Sequence, residues 1–244
     1  MISINNKVVL ITGATGGIGS ALSEKLNSEG ASLVLVGRDK QKLDLLNSSL
    51  GGKHRVYACD FTSQQNVIEL SEKLKTVGTI DMLCNAAGIG IYKSIKDATL
   101  EEWNISLNTN LTAAFILTKN LIPNLEKSEV SLVLNIGSGA GVIPQRSRSL
   151  YATTKFALRG LSLCLNEEYK DTKPHFCLIT LGSTLTNFGG MTIEEKKEAA
   201  QKGRAYFPVE WVISKLVEII KDEKRKEEYV LYPGDNGFGE WSKA

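Results

Sequence analysis

The chain has 244 residues, of which 42% are hydrophobic and 23% charged, and its formal net charge is +2. This length and composition fit a globular protein with a sizeable core, and the small net charge gives no reason to expect nucleic acid as a partner. No apolar run approaches the ~18 residues that span a bilayer, so we expect no membrane partner. A strand-like segment begins at residue 7, which leaves little room for a targeting peptide, and we expect a cytoplasmic protein.

The few cysteines and histidines argue against a metal site, a disulfide framework or a histidine-based triad. The two histidines, His54 and His175, are far apart and lack a cysteine or carboxylate cluster. The four cysteines are widely spaced in mostly apolar segments, where a free thiol behaves as a small hydrophobic group. They are Cys59, Cys84, Cys164 and Cys177. We therefore expect a reducing compartment and no bound metal.

Short apolar runs alternate with segments of helical periodicity along the whole chain. The predicted strands cover residues 7–12, 31–37, 54–59, 80–85, 130–136, 175–180 and 228–232. The predicted helices begin at Ile18, lie near 39–49, 63–76 and 208–221, include the helix carrying Tyr151, and include one long helix in which Trp103, Leu107, Leu111 and Phe115 recur every four residues. Continuous apolar strands between helices indicate a parallel sheet covered on both faces. The sequence predicts a single-domain, Rossmann-like α/β fold over residues 1–244, doubly wound, with about seven strands.

A glycine-rich turn, "TGATGGIG" at residues 12–19, joins the first predicted strand to the first helix. Glycines permit a sharp turn and close approach of a ligand, and the N-terminus of a helix favours a phosphate. The spacing is T-G-x-x-x-G-x-G through Gly13, Gly17 and Gly19, or T-G-x-x-G-x-x-G if Gly16 is used. The strict G-x-G-x-x-G fingerprint is absent, and no lysine is in place for a nucleoside triphosphate. The turn predicts a dinucleotide site.

The end of the second strand, "LVLVGRDK", favours NADP over NAD. An acidic residue at this point would bind the ribose 2′-hydroxyl of NAD, whereas an arginine accommodates the 2′-phosphate of NADP. Gly37 leaves room and Arg38 supplies a planar cation. Asp39 is interpreted as the N-cap of the following helix. An exposed turn arginine without a ligand is the alternative for Arg38.

A tyrosine and a lysine four residues apart, which share one face of a helix, occur three times in the chain. The pairs are Tyr92–Lys96, Tyr151–Lys155 and Tyr169–Lys173. Only the second pair begins a helix after the fifth strand, with Ser138 thirteen residues upstream at the end of that strand. The third pair lies at the end of a helix that runs into Pro174.

With these motifs the chain resembles the short-chain dehydrogenase/reductase family over nearly its whole length. The cofactor turn, "CDFTS" after the third strand, "CNAAG" after the fourth, Asn110 in "NTNLTAAF", Ser138 in "LNIGSGAG" and the Tyr151–Lys155 pair follow in the family's order. The resemblance implies an NADP-dependent oxidoreductase that transfers a hydride between nicotinamide and a small carbonyl or alcohol substrate.

The resemblance also implies a role for each catalytic residue. Tyr151 is the general acid/base, and Ser138 hydrogen-bonds the substrate carbonyl. Lys155 holds the nicotinamide ribose and, together with the positive ring of the oxidised cofactor, lowers the pKa of Tyr151. Asn110 anchors a water that passes protons between Lys155 and solvent. The implied cofactor contacts are Gly13, Thr15, Gly16, Gly17, Ile18, Gly37, Arg38, Asp60, Phe61, Asn85, Ala86, Ala87, Gly88, Tyr151, Lys155, Gly182, Thr184 and Thr186.

Two departures from the family pattern and several open questions remain at this stage. Leu181 replaces the proline that usually follows the sixth strand, and we expect a looser loop there; Gly137 stands where a second serine is frequent. A non-catalytic NADP sensor and a 3-oxoacyl-thioester reductase are the alternative functions. The family usually associates through the helices of Asn110 and Tyr151, so we expect a homo-oligomer, either a dimer or a tetramer.

The predicted substrate lid covers residues 187–207. Thr192 and Glu195 fit a capping box, which predicts a helix, and Gly189 and Gly190 could serve as a hinge. Six residues are candidates for lining the substrate pocket, with ordinary core packing as the alternative for each. They are Ile89, Tyr92, Ile143, Phe188, Met191 and Phe207.

Overall fold

The structure, a computed structural model, describes residues 1–240 and contains one sheet of seven parallel strands. The strands are β1 (Val8–Thr12), β2 (Ser32–Gly37), β3 (Arg55–Ala58), β4 (Met82–Asn85), β5 (Leu132–Ile136), β6 (His175–Leu181) and β7 (Glu228–Leu231). Their order in the sheet is β3-β2-β1-β4-β5-β6-β7. The fold class predicted from the sequence is confirmed, although the predicted range of 1–244 includes residues 241–244, which lie outside the described part of the chain.

The described residues form eight α-helices, six of which cover the two faces of the sheet. They are α1 (Gly17–Ser28), α2 (Lys40–Ser49), α3 (Gln64–Lys75), α4 (Leu100–Leu107), α5 (Ala113–Leu125), α6 (Ser149–Glu168), α7 (Ile193–Gln201) and α8 (Val209–Lys221). Helices α1, α2 and α8 pack on one face, and α3, α5 and α6 pack on the other. No helix among residues 1–240 has both the length and the apolar character needed to cross a bilayer.

Successive residues of the central strands point alternately into the two hydrophobic cores, one on each face of the sheet. In β1, Val9 and Ile11 belong to the core with α1 and α8, while Leu10 belongs to the core with α3 and α5. All three side chains are fully buried. Because successive side chains of a strand point to opposite faces, a strand buried on both faces has an uninterrupted apolar sequence. This is why the strands are recognisable as continuous apolar runs.

The sheet order reverses between β1 and β4, which are neighbours although β2 and β3 lie between them in sequence. The Thr12 hydroxyl at the end of β1 accepts hydrogen bonds of 3.1 Å from both the Ala86 and the Ala87 N–H, directly after β4. In open parallel sheets the ligand binds beyond the carboxyl ends of the strands at this reversal. The motif residues therefore converge at one edge of the sheet.

Two sequence-based expectations are corrected by the structure. The long helix after the fourth strand is interrupted by one π-helical turn, Asn108–Thr112, between α4 and α5. The four-residue apolar spacing cannot reveal this turn, because it continues through the interruption; π turns of this kind are frequent at functional sites. Cys164 is exposed on α6, whereas the other three cysteines are buried as expected.

Candidate active site

The glycine-rich turn between β1 and α1 packs so closely on the segment after β4 that only glycine fits. Gly13 has a φ of +65°, and a Cβ built on it would lie 2.8 Å from the Cα of Ala87. A Cβ on Gly17 would lie 2.6 Å from the Cγ2 of Thr186. Three segments that the sequence predicts to contact the cofactor are therefore packed against one another.

The N-terminus of α1 presents free hydrogen-bond donors at this place. Its N-cap, Gly16, has no side chain to cap the helix, and the first turn contains no acidic residue. The N–H groups of Gly17 and Ile18 have no acceptor among residues 1–240. Unpaired N–H groups and the positive end of the helix dipole suit a pyrophosphate. The turn thus fits the phosphates of a dinucleotide, with Thr15 beside them in the same turn.

The end of β2 provides a cation close to this turn. Arg38 is exposed directly after β2. A Cβ on Gly37 would lie 3.4 Å from Thr15 Oγ1, so this position borders the phosphate turn. Asp39 caps α2, since its carboxylate accepts a hydrogen bond from the Lys42 N–H, as the sequence predicts. Asp39 is therefore committed to the helix, and Arg38 is the charged side chain at this strand end that remains available.

The segments after β3 and β4 hold the next predicted contacts. Asp60 is exposed, and its Oδ1 accepts hydrogen bonds from the N–H and the hydroxyl of Thr62, which fixes the turn at 60–62. Phe61 is buried in the core under this turn. The Asn85 side chain donates a 2.8 Å hydrogen bond to Asn135 Oδ1 and is buried. These contacts hold the segments after β3 and β4 in place.

The segment after β6 is held firmly despite the missing proline. Leu181 extends β6 and is in register with Leu231 of β7, and the Gly182 N–H donates to the Leu231 carbonyl at 2.8 Å. A Cβ on Gly182 would lie 2.5 Å from Pro233 Cδ, so the proline that follows β7 packs against this turn. Thr184 and Thr186 follow and are both buried.

Helix α6 places Tyr151 and Lys155 on one face, one turn apart, with the lysine Nζ 5.8 Å from the centroid of the tyrosine ring. Both side chains are 5% exposed. The lysine Nζ donates a 2.8 Å hydrogen bond to the Ile136 carbonyl at the end of β5. Ser138, two residues further on, lies close enough to Tyr151 for its side chain to lower the pKa of the tyrosine, and its hydroxyl accepts a 3.1 Å hydrogen bond from the Ala140 N–H.

Asn110 lies in the π-helical turn and braces the site. Its Oδ1 accepts a 2.7 Å hydrogen bond from the Ile89 N–H, and its Nδ2 donates to the Ile89 carbonyl and to Thr154 Oγ1, each at 3.0 Å. Gly88 lies between Asn110 and Lys155, because a Cβ on it would be 3.4 Å from Asn110 Oδ1 and 3.9 Å from Lys155 Nζ. The side chain of Asn110 is thus committed to the segment after β4 and to α6. The water that the sequence analysis assigns to it stays a prediction.

A scan against family models matches residues 7–197 to the short chain dehydrogenase family. The chain belongs to this family. It is 30% identical to an uncharacterised oxidoreductase of Staphylococcus epidermidis over 208 residues, which cover 82% of this chain and 89% of the relative. It is 32% identical to the uncharacterised oxidoreductase YvrD of Bacillus subtilis over 201 residues, covering 82% and 76% respectively. The protein is thus an oxidoreductase of the short-chain dehydrogenase family, as its motifs indicate.

Solved structures of the family share this fold over nearly the whole chain. The alcohol dehydrogenase of the archaeon Thermococcus sibiricus, complexed with 5-hydroxy-NADP, superposes with a TM-score of 0.81 at 25% identity. The match covers 94% of this chain and 97% of that one. The resemblance stated from the sequence is confirmed.

Burial dominates the electrostatics of this short-chain dehydrogenase site. Burial and the neighbouring Tyr92 raise the pKa of Tyr151 well above its ordinary value, while the Ser138 side chain and the Arg148 charge act in the opposite direction. Burial lowers the pKa of Lys155 to about 8. The protein groups alone therefore do not produce the lowered pKa that the sequence analysis expects for Tyr151.

Two aromatic side chains cover Tyr151 and were not foreseen as a pair. The Tyr92 ring packs edge-on against the Tyr151 ring with centroids 5.6 Å apart, and the Phe188 ring lies 5.7 Å away on a tilt. Tyr92 itself sits between two glycines: a Cβ on Gly90 would lie 2.8 Å from its hydroxyl, and one on Gly189 would lie 2.9 Å from its ring. Gly189 also has a φ of +89°. Glycine at 90 and 189 is what allows Tyr92 to reach Tyr151.

The lid segment contains the helix that the capping box predicts. The Thr192 hydroxyl caps α7 by accepting from the Glu195 N–H, and the Glu195 carboxylate accepts from the Thr192 N–H. Lys196 is buried, and its Nζ donates 2.6 Å hydrogen bonds to the carbonyls of Thr186 and Phe188. This lysine ties α7 to the segment that follows β6 and was missed from the sequence, where it belongs to a mixed-charge stretch typical of a solvated face.

For one of the six candidate pocket residues the alternative of core packing is correct. Phe207 is fully buried and stacks on the Trp211 ring at 4.3 Å, with Phe238 at 5.5 Å. Because its ring is enclosed by these aromatics, it does not face the cleft. Tyr92 and Phe188, by contrast, contact Tyr151 directly.

Proposed function

We propose that the protein is an NADP(H)-dependent carbonyl reductase or alcohol dehydrogenase with Tyr151 as its general acid/base. The observation that carries this proposal is the proximity of Ser138, Tyr151 and Lys155, of which Tyr151 and Lys155 are buried and lie one turn apart on α6. A solved relative supports the cofactor, because the Thermococcus sibiricus alcohol dehydrogenase is complexed with 5-hydroxy-NADP.

When bound, the nicotinamide supplies or accepts the hydride at the substrate carbon. In reduction, Ser138 would hold the carbonyl oxygen and Tyr151 would donate its hydroxyl proton to the oxygen as negative charge develops there. Lys155 is one turn from Tyr151, and its charge would stabilise the resulting phenolate until a proton returns. Asn110 would keep the segment after β4 at the correct distance from α6. Burial of Asn110, Tyr151 and Lys155 strengthens the electrostatic interactions among them.

The residues proposed to hold the cofactor follow the edge of the sheet. The N–H groups of α1 would bind the pyrophosphate, Arg38 the 2′-phosphate and Asp60 the adenine. The backbone of 86–88, Lys155 and Thr186 would hold the nicotinamide ribose and carboxamide, with Gly182 and Thr184 shaping the turn. A non-catalytic NADP sensor would need the contacts to the pyrophosphate, the 2′-phosphate and the adenine, but not those to the nicotinamide half.

The first experiment on the proposed function compares the binding of NADPH and NADH by fluorescence titration, followed by a screen of small carbonyl compounds with the preferred cofactor. Binding of neither nucleotide would contradict the proposal at its base. Tight binding without turnover of any carbonyl or alcohol would favour the sensor. Preferential turnover of 3-oxoacyl thioesters would assign the narrower alternative within the same chemistry.

Replacing Arg38 by glutamine should weaken NADPH binding and leave NADH binding unchanged. A charge-assisted contact to phosphate contributes about 1.5–3 kcal/mol, which corresponds to roughly a 10- to 100-fold increase in the Kd for NADPH. Lys53→Gln is a matched control. Lys53 is an exposed cation two residues before β3, near the amino ends of the strands, whereas Arg38 lies at their carboxyl ends. Equal losses for both nucleotides in Arg38→Gln would contradict a 2′-phosphate contact.

Two exposed phenylalanines on the helices of the active site support a homo-oligomer. Phe115 on α5 and Phe156 on α6 are each 45% exposed, on helices that pack on the same face of the sheet. Phe156→Asp should therefore convert the oligomer to smaller species in sedimentation velocity at micromolar concentration, because a buried carboxylate without a partner is costly. Leu45→Asp on the other face, where Leu45 is 71% exposed, should leave the distribution unchanged. A monomeric unmodified protein would exclude this assembly.

A further inference from the structure

Tyr92 and Phe188, the two rings that cover Tyr151, form what we call the entrance to the site. Three cationic side chains lie near it. Arg148 directly precedes α6, Lys196 lies on α7, and Arg204 follows α7. Among residues 1–240, none of the three has a carboxylate within ion-pair distance. A group of cations without acidic partners creates a positive potential at the entrance of a site, and this potential attracts anions.

Arg148 is the member of this group that is nearest to the chemistry. Its guanidinium carbon lies 4.4 Å from the centroid of the Tyr92 ring, and that ring lies 5.6 Å from the Tyr151 ring. Since the two separations add to 10.0 Å at most, the guanidinium is within one small molecule's length of the general acid/base. Arg148 already influences Tyr151, because its charge lowers the pKa of the tyrosine hydroxyl.

The acidic side chains near the entrance are engaged elsewhere. Glu195 binds the N–H and the hydroxyl of Thr192, and Glu102 pairs with Lys93, the neighbour of Tyr92. Burial lowers the pKa of Lys196, and the charges of Arg148 and Arg204 lower it further, with no carboxylate acting against them. The first turn of α6 contains no acidic residue, and its N-cap, Arg148, makes no side-chain cap. Arg148 and Lys196 thus face the entrance without a carboxylate in ion-pair distance among residues 1–240.

The other two cations are less suited to bind a substrate at Tyr151. Lys196 donates its hydrogen bonds to the carbonyls of Thr186 and Phe188, and Arg204 lies over the ring of Tyr206, which, unlike Tyr92, does not pack on the Tyr151 ring. Arg148 makes no hydrogen bond to residues 1–240 through its side chain; its contact is the face of Tyr92. An arginine on a ring face keeps its planar fork of donors available, and this fork matches a carboxylate or a phosphate in bidentate geometry.

We propose that the substrate of this enzyme is a small carbonyl or hydroxy compound with an anionic group, and that Arg148 binds that group. The proposal rests on the proposed function and specifies its substrate class. Tyr92 then occupies the place that the substrate takes, between Arg148 and Tyr151. A substrate that displaces Tyr92 replaces a cation–ring contact of Arg148 by a stronger ionic one. The short reach between the two residues selects a compound whose anionic group is only a few bonds from the carbonyl, such as a short oxo acid.

The test compares charged and neutral forms of one substrate with the holoenzyme. The probes are 3-oxobutanoate and its methyl ester, and dihydroxyacetone phosphate and dihydroxyacetone, each reduced with the preferred cofactor. We expect kcat/KM to be higher for the charged member of one of the two pairs. Whether this is the carboxylate pair or the phosphate pair identifies the kind of anion that the site binds. Arg148→Gln should lower the charged-to-neutral ratio by about tenfold or more, mainly through KM, since it removes a bidentate ionic contact.

Arg146→Gln is the matched control, because Arg146 is an exposed arginine two residues away that makes no ion pair within residues 1–240. It should change the ratio by less than about twofold. A charged-to-neutral ratio near one, or a ratio that both variants change equally, would overturn the role of Arg148.

A binding measurement separates failure of this inference from failure of the proposed function. Malonate, an unreactive dicarboxylate, should raise the Tm of the NADP complex, and Arg148→Gln should remove most of that shift while Arg146→Gln retains it. If no carbonyl is turned over but the malonate shift depends on Arg148, the anion site stands and the proposed reaction fails. If reduction proceeds and the malonate shift is absent or independent of Arg148, the anion site is wrong and the reaction stands.

Discussion

Tyr151→Phe should reduce kcat for carbonyl reduction by about 10³-fold, within the range of about 10² to 10⁴ that general acid–base groups contribute. The phenylalanine ring fills the same space against Tyr92 and Phe188, so only the hydroxyl and its contact with Ser138 are lost. NADPH binding should stay within a few-fold of that of the unmodified protein. The measurement is steady-state reduction of a confirmed substrate, together with the cofactor Kd.

Tyr169→Phe provides the matched control for this experiment. Tyr169 belongs to another Tyr-x-x-x-Lys pair of the chain, but it lies at the C-cap of α6 and packs on Phe176. Because its ring contacts survive the change and its hydroxyl makes no hydrogen bond to residues 1–240, activity should be unaffected. Turnover that survives in Tyr151→Phe at the unmodified rate would refute the assignment of the general acid/base.

Lys155→Met should cost about 10²- to 10³-fold in kcat/KM and should also remove an alkaline limb from the pH profile. Burial lowers the pKa of this lysine to about 8, so its charge is present below that pH and is lost above it. Under the proposed mechanism reduction requires the charged lysine beside Tyr151, and kcat/KM should therefore fall as the pH rises through about 8. The variant, which has no ammonium, should show low activity without that fall.

Lys96→Met is the control for the lysine, since Lys96 is exposed and belongs to the Tyr92 pair. Thermal unfolding must accompany the kinetics, because the Lys155 Nζ also satisfies the Ile136 carbonyl. A Lys155→Met protein with an unchanged Tm, lowered activity and the same alkaline fall would assign that fall to another group.

The sheet and the order of the site segments were predictable because each depends on local sequence. Strands buried on both faces, such as β1 and β5, are uninterrupted apolar runs. The capping residues Asp39 and Thr192 signal the starts of α2 and α7, because a side-chain oxygen followed by free N–H groups is a local arrangement. Family motifs then specify which strand ends carry the chemistry.

The contacts that complete the site were not predictable, because they join residues distant in sequence. Nothing near Tyr92 indicates that its ring reaches Tyr151, which depends on Gly90 and on Gly189 from the lid. The burial of Lys196 arises from carbonyls eight and ten residues away that only the folded lid brings together. The π turn at Asn110 is invisible to apolar periodicity, and only the three-dimensional arrangement shows that it serves to aim this side chain at Ile89.

The double hydrogen bond between Asn110 and Ile89 determines where the entrance can open. Both the N–H and the carbonyl of Ile89 are held by one buried side chain, while residues 89–94 have no helix or strand of their own. Ile89 is therefore held in place, and only the chain beyond it is free to move. A movement of Tyr92 away from Tyr151 would therefore have to bend the chain beyond Ile89, where Gly90 is the first residue, and the segment that Asn110 holds would keep its place.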